Sequence, residues 1–165
     1  MRNLKSISKE AVPLALKKAL RYRLLNEPLE AESICLDVLR ADPENQKALV
    51  MLLLALTDRF GKSYGISRMQ PEEILPRLAS EYDRAYYAGV IHERRTKAQL
   101  QQRVPGHEIY DGFKEAMACY EKAILLQPAG NEDAALRWNT CARIVMQNQP
   151  TPTTRHDGYV LEGDG

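Results

Sequence analysis

No apolar run in this sequence of 165 residues exceeds the nine of ALVMLLLAL at 48–56. That is far short of the ~20 needed to cross a bilayer, so the run reads as a buried helix face. Charge of one sign is also missing. The net charge is +1, and bulk charge gives no argument for nucleic acid or membrane binding. Cysteine is scarce: Cys35, Cys119 and Cys141 are an odd number, with no CxxC pair. That count favours reduced, buried thiols of a cytoplasmic protein over a disulfide framework. The opening MRNLKSISKEAVPLAL is positively charged but has no continuous apolar stretch or small-residue cleavage site, so it reads as mature sequence. What is present, 44% apolar and 27% charged residues, is ordinary for a globular domain with a real core.

Almost every segment repeats at the helical period. A first helix is predicted from about Val12 to Leu25, with Pro13 in its first turn, and a second from about Pro28 to Arg40. A third is predicted from an Asp42 N-cap, with Pro43 at its first position, to Phe60, where Gly61 terminates it. Residues 61–70 read as a loop. A short helix begins at Pro71, and Pro76 kinks or ends it. Longer helices follow over about Ser80–Arg103 and Glu108–Gln127, separated by a turn at Pro105 and Gly106. Asn131 caps a last helix with Ala134, Ala135, Trp138, Cys141, Ala142 and Val145 on one face. The expected organisation is a helical domain over 1–147 and a flexible tail over 148–165. The tail's apolar cluster is Tyr159, Val160 and Leu161.

One spacing occurs twice. Ala19, Tyr22, Ala31, Cys35, Val38 and Pro43 form a small–aromatic–small–bulky–small–proline skeleton, and Ala116, Tyr120, Ala123 and Pro128 repeat its second half. On these residues the chain resembles the tetratricopeptide repeat family. Several positions depart from the family pattern: Lys18 stands for leucine, Ala15 for a large aromatic, Cys35 for an aromatic and Val38 for alanine. The resemblance implies an all-α helix-turn-helix repeat solenoid of about six to seven helices. The two prolines are 85 residues apart (128 minus 43), against roughly 68 for two uninterrupted repeats. The extra residues are expected within 61–80 and 104–109. The family also implies protein or peptide binding in a concave groove lined by the first helix of each pair. Some members clamp a partner's terminal carboxylate with basic residues. Here two clamp positions fall on Leu16 and Leu20, which cannot do so.

Motifs for chemistry are incomplete. FGKS at 60–63 resembles the end of a phosphate-binding loop, but Leu56 stands where the first glycine belongs and no strand precedes it. HERRT at 92–96 has Thr96 where a zinc-protease helix needs its second histidine. His107 and His156 have no companions at metal-ligand spacing. No enzymatic activity, cofactor or metal is expected.

Within YDRAYYAGVIHERRTKAQL, Tyr82, Ala85, Tyr86, Gly89, Glu93, Thr96 and Leu100 recur at helical spacing, which puts Glu93 on the less polar stripe. A carboxylate there needs a cationic partner, and Arg137 of the last helix is one candidate. Charge is uneven near the start: residues 1–26 hold seven Lys or Arg and one Glu, whereas 27–45 hold six acids and one Arg. Two adjacent helices of complementary charge are expected.

The reading from sequence is a cytoplasmic adaptor or scaffold that binds a peptide or helix through Arg21, Arg59, Tyr86, Tyr87, Arg94 and Arg95. The alternatives are a nucleic-acid-binding helical protein using Lys17, Lys18 and Arg21, and a self-assembling structural protein, for instance a homodimer. Nucleic-acid binding is the runner-up to the adaptor reading, with Tyr22 the only aromatic in the basic segment counting against it, and self-assembly comes third.

Overall fold

A computed structural model describes residues 2–64 and 67–148. The tail over 149–165, with Tyr159, Val160, Leu161 and His156, lies outside the described residues. Those described contain six α-helices, two short 3-10 helices and no strand. The α-helices are α1 (Val12–Leu24), α2 (Pro28–Ala41), α3 (Gln46–Thr57), α4 (Glu81–Gln101), α5 (Gly106–Leu126) and α6 (Asp133–Asn148).

Proline, glycine and short polar side chains set most boundaries. Asn26 takes φ 60° in the link between α1 and α2, a left-handed conformation that asparagine tolerates. Pro28 opens α2, and Ser80 caps α4 by accepting a hydrogen bond from Asp83 N–H at 3.2 Å. Asn131 Oδ1 accepts from Asp133 N–H at 3.1 Å, at the start of α6 as expected.

One expected cap is displaced. α3 begins at Gln46, and its cap is Asn45, which accepts from Ala48 N–H at 2.9 Å. Asp42, at φ −143° and ψ 84°, is outside the helical region that a following proline disfavours, and accepts Asn45 Nδ2–H at 3.1 Å. Residues 42–45 are a turn rather than the first turn of the helix. At the other end α3 stops at Thr57, and Gly61, at φ 70°, closes the turns that follow.

The segment from Pro71 to Arg77 is a 3-10 helix throughout, not an α-helix kinked at Pro76. Proline at the sixth position has no N–H to give, and its ring crowds the carbonyl four residues back. The segment nevertheless plugs the core, burying Ile74 within it and Leu78 just beyond.

Two apolar cores result. The first joins α1, α2, α3 and the 3-10 segment around Leu49, Leu52, Leu53 and Ile74. The second joins α4, α5 and α6 around Phe113, Ala116, Tyr120 and Ala134. Leu54 and Tyr87 touch both and tie them together.

Part of the extra chain length lies where the proline spacing suggested, within 61–80, the stretch between α3 and α4 that holds the 3-10 segment, and part lies in the helices themselves rather than in 104–109. α4 and α5 have 21 residues each, whereas α1, α2 and α3 have 13, 14 and 12. Residues 106–109, expected within an inserted loop, are the first turn of α5. The α4–α5 hairpin is drawn tight at two points. A Cβ on Gly89 would lie 2.6 Å from Tyr120 Cε1, and one on Gly112 would overlap Thr96. Glycine is required at both for the helices to approach.

Candidate functional site, an apolar groove across three helices

α1, α3 and α4 run side by side in the same direction. Asp83 and Tyr87, near the start of α4, face Gln46 through Met51 of α3, while Arg94 further along reaches Asp58 just past the end of α3. α1 obeys the same order, with Pro13 and Leu16 at the first level and Arg23 at Asp58. Between the three helices lies a groove of about 560 Å³.

Its walls follow helical spacing. α1 contributes Pro13, Leu16, Lys17 and Leu20; α3 contributes Gln46, Lys47, Val50 and Met51; α4 contributes Asp83 and Tyr87. Lys47, Val50 and Met51 each stand 34 residues after Pro13, Leu16 and Lys17 (47 minus 13, 50 minus 16, 51 minus 17). α1 and α3 thus line the groove with positions at a constant offset. The floor is aliphatic, Leu20 is 43% exposed, and the two lysines are exposed at the edge. Burial pushes the Tyr87 phenol up to about 12, with Asp83 adding to the effect, and burial raises the Asp83 carboxyl above its ordinary value.

One end of the groove is locked by ions. Asp58 accepts two bonds from Arg23, at 2.7 and 3.2 Å, and a third from Arg94, whose guanidinium also donates to Thr57 Oγ1 at 3.0 Å. One carboxylate therefore fixes the spacing of three helices. The basic first helix and the acidic second are adjacent, as expected, but the ion pairs of Arg23 and Glu32 run to other partners. Arg23 of α1 goes to Asp58, and Glu32 of α2 takes Arg59, at 2.6 Å.

The six residues expected to contact a partner divide accordingly. Tyr87 lines the groove, and Arg21 is exposed on α1 beside Lys17. Arg59 is tied to Glu32 and to Tyr64 C=O, and Arg94 to Asp58 and Thr57. Arg95 pairs with Glu72 and covers the Phe60 ring at 4.9 Å. Tyr86 stacks on Tyr82, meets Tyr87 edge-on and accepts a bond from Arg137 Nε–H at 3.3 Å. These four are braces of the fold in the structure, and they do not form one surface with Arg21. Lys47, Val50 and Met51 were not singled out from sequence, and Leu16 and Leu20 only as unable to form a clamp. The recurrence at 34 residues is the signal that finds them.

Glu93 obtains the partner its position demanded. It is 0% exposed and accepts from Arg137 Nη1–H at 2.7 Å, with Lys97 at 3.5 Å and the Cys141 thiol donating at 3.4 Å. Cys35 and Cys141 are buried and free, and burial pushes both thiols up to about 12, so neither is a thiolate at neutral pH. Lys62 of FGKS donates to Asn26 Oδ1 at 2.6 Å, bracing a loop. His92 of HERRT sits 3.3 Å from Glu115, and no cluster of metal-ligating side chains occurs among the described residues. No helix among them is long and apolar enough to cross a membrane.

No family model matches the chain, and no curated protein or solved structure matches it.

Proposed function

We propose that the chain is a non-catalytic protein-interaction module, an adaptor or scaffold, that takes a peptide or helix of a partner protein in the groove across α1, α3 and α4. The observation that carries this is the aliphatic floor of that groove, built from α1 and α3 positions at a constant 34-residue offset. Concave apolar sites with a few polar groups at the edge are where ligands ordinarily bind. The offset is also the period of the tetratricopeptide repeat, so the resemblance in the small–aromatic–proline skeleton supports the same reading. Under it, Leu16, Leu20, Val50, Met51 and Tyr87 form the contact floor, with Arg21 at its margin. A cytoplasmic setting fits the unpaired thiols.

The experiment is affinity capture with the full chain beside two variants, Leu20→Glu with Met51→Glu, and Tyr86→Ala with Arg95→Ala. A protein partner lost with the first pair and kept with the second is expected. A partner indifferent to the first pair overturns the groove as the site. Nucleic acid eluted by salt, and reduced by changing Lys17, Lys18 and Arg21, overturns the protein-binding reading.

A further inference from the structure

Resting on that reading, we infer that the groove's partner is an amphipathic helix with acidic residues on the flank that faces α1 and α3. Two observations carry this, one about backbone and one about charge.

An extended peptide brings unpaired N–H and C=O groups, which must find partners when covered. The lining offers one side-chain amide, Gln46, and it is already engaged. Its Nε2–H donates to Glu44 C=O at 3.0 Å and Arg77 C=O at 3.3 Å, and its Oε1 accepts from Ala79 N–H at 2.9 Å. Lys17, Lys47, Asp83 and the Tyr87 hydroxyl are the other hydrogen-bonding side chains of the lining, too few for the N–H and C=O that an extended strand presents at every residue, and the rest of the lining is aliphatic. A helix satisfies its own backbone and needs from such a site only apolar contact at i, i+3 or i+4, and i+7.

Charge gives the helix a handed edge. Lys17 on α1 and Lys47 on α3 stand exposed at the rim, with no carboxylate partner among the described residues. Asp83 is the one acidic residue of the lining and lies on the opposite wall, on α4. A helix lying in the groove with Asp or Glu toward Lys17 and Lys47, and a neutral or basic residue toward Asp83, is complementary on both sides. The reverse arrangement sets like charges together.

The test is selection from random peptides of about 16 residues, roughly four helical turns, displayed against the full chain. Expected binders carry an apolar stripe at helical spacing with Asp or Glu on one flank, and gain helical circular dichroism on binding. Their affinity should fall about tenfold or more in Leu20→Glu, a change of at least ~1.4 kcal/mol. It should fall with rising salt and in Lys17→Glu with Lys47→Glu, and lysine-flanked peptides should bind that double variant instead. An unchanged melting curve for Leu20→Glu, an exposed position, keeps these losses from being losses of fold. Extended or basic binders that still fail on Leu20→Glu overturn the acidic helix and leave the groove reading standing. Binders indifferent to Leu20→Glu and Met51→Glu overturn the groove reading itself. A monomer–dimer equilibrium abolished by Leu20→Glu puts a second copy in the groove and overturns the inference.

Discussion

Glu93 and Arg137 are separated by 44 residues and joined by a 2.7 Å hydrogen bond, with the carboxylate fully buried between α4 and α6. Such a pair adds little to stability compared with a well-packed apolar pair, but either partner alone is a liability. Arg137→Met should therefore lower unfolding free energy by about 3 kcal/mol, since Lys97 at 3.5 Å is a poorer substitute. Adding Glu93→Met should recover most of that loss. Urea unfolding of the two singles and the double gives the coupling; additive losses would show that the charges do not act as a unit.

Gly89 is the contact point of the long hairpin. Gly89→Ala would set its Cβ 2.6 Å from the Tyr120 ring, and overpacking of that kind costs about 1–3 kcal/mol. Alanine is otherwise the better helix former, so a stabilised Gly89→Ala protein would refute the close approach. Combining it with Tyr120→Leu should recover part of the loss, because the obstacle is then gone.

Asp58→Asn keeps the shape of the bracket and removes its charge. Arg23 and Arg94 would then face each other without the carboxylate between them. A loss of about 1–2 kcal/mol is expected, given that both arginines retain partial access to solvent. A second expectation concerns the groove: peptide affinity should fall more than the melting temperature implies, because the three walls lose their common tether. Calorimetric binding alongside a thermal melt separates the two effects.

Alkaline pH should unfold the protein by a definable route. Cys35 and Cys141 are raised from 9.0 to about 12, and Tyr87 from 10.0 to about 12, all chiefly by burial. The unfolded chain releases these protons first, so it binds fewer than the native state over that range. Stability is then unaffected by these groups below about pH 9 and declines as pH rises toward 12. Denaturant midpoints measured from pH 8 to 11 should show the decline, and Cys35→Ala should flatten it while lowering the baseline. A midpoint constant across that range would mean the thiols are not buried.

Much of the fold could be read along the chain because its signals are local. Pro28, Ser80 and Asn131 mark helix starts through a missing donor or a short polar acceptor, and their effect extends over a few residues. The burial of Glu93, and its need for a cation, followed from helical periodicity alone. Where a local signal misled, tertiary contacts chose. Asp42 reads from sequence as the cap of α3, and the structure caps it with Asn45 instead. Gln46, hooked to Arg77 and Ala79, and Arg77, donating to Pro43 C=O at 3.1 Å, hold the start at the later residue.

By itself, then, the sequence determined that this is an all-helical protein, roughly where its helices begin and end, and that Glu93 must be paired. Only the tertiary structure decided which arginines are braces and which face solvent. A guanidinium on its long stem reaches partners 27 to 44 residues away, as Arg59, Arg23, Arg94 and Arg137 do, and nothing local encodes that choice. The groove was decided in the same way. Leu16 and Leu20 have the composition of core residues, and they line an open surface because α1 and α4 each pack against α3, with Arg23 and Arg94 both held by Asp58.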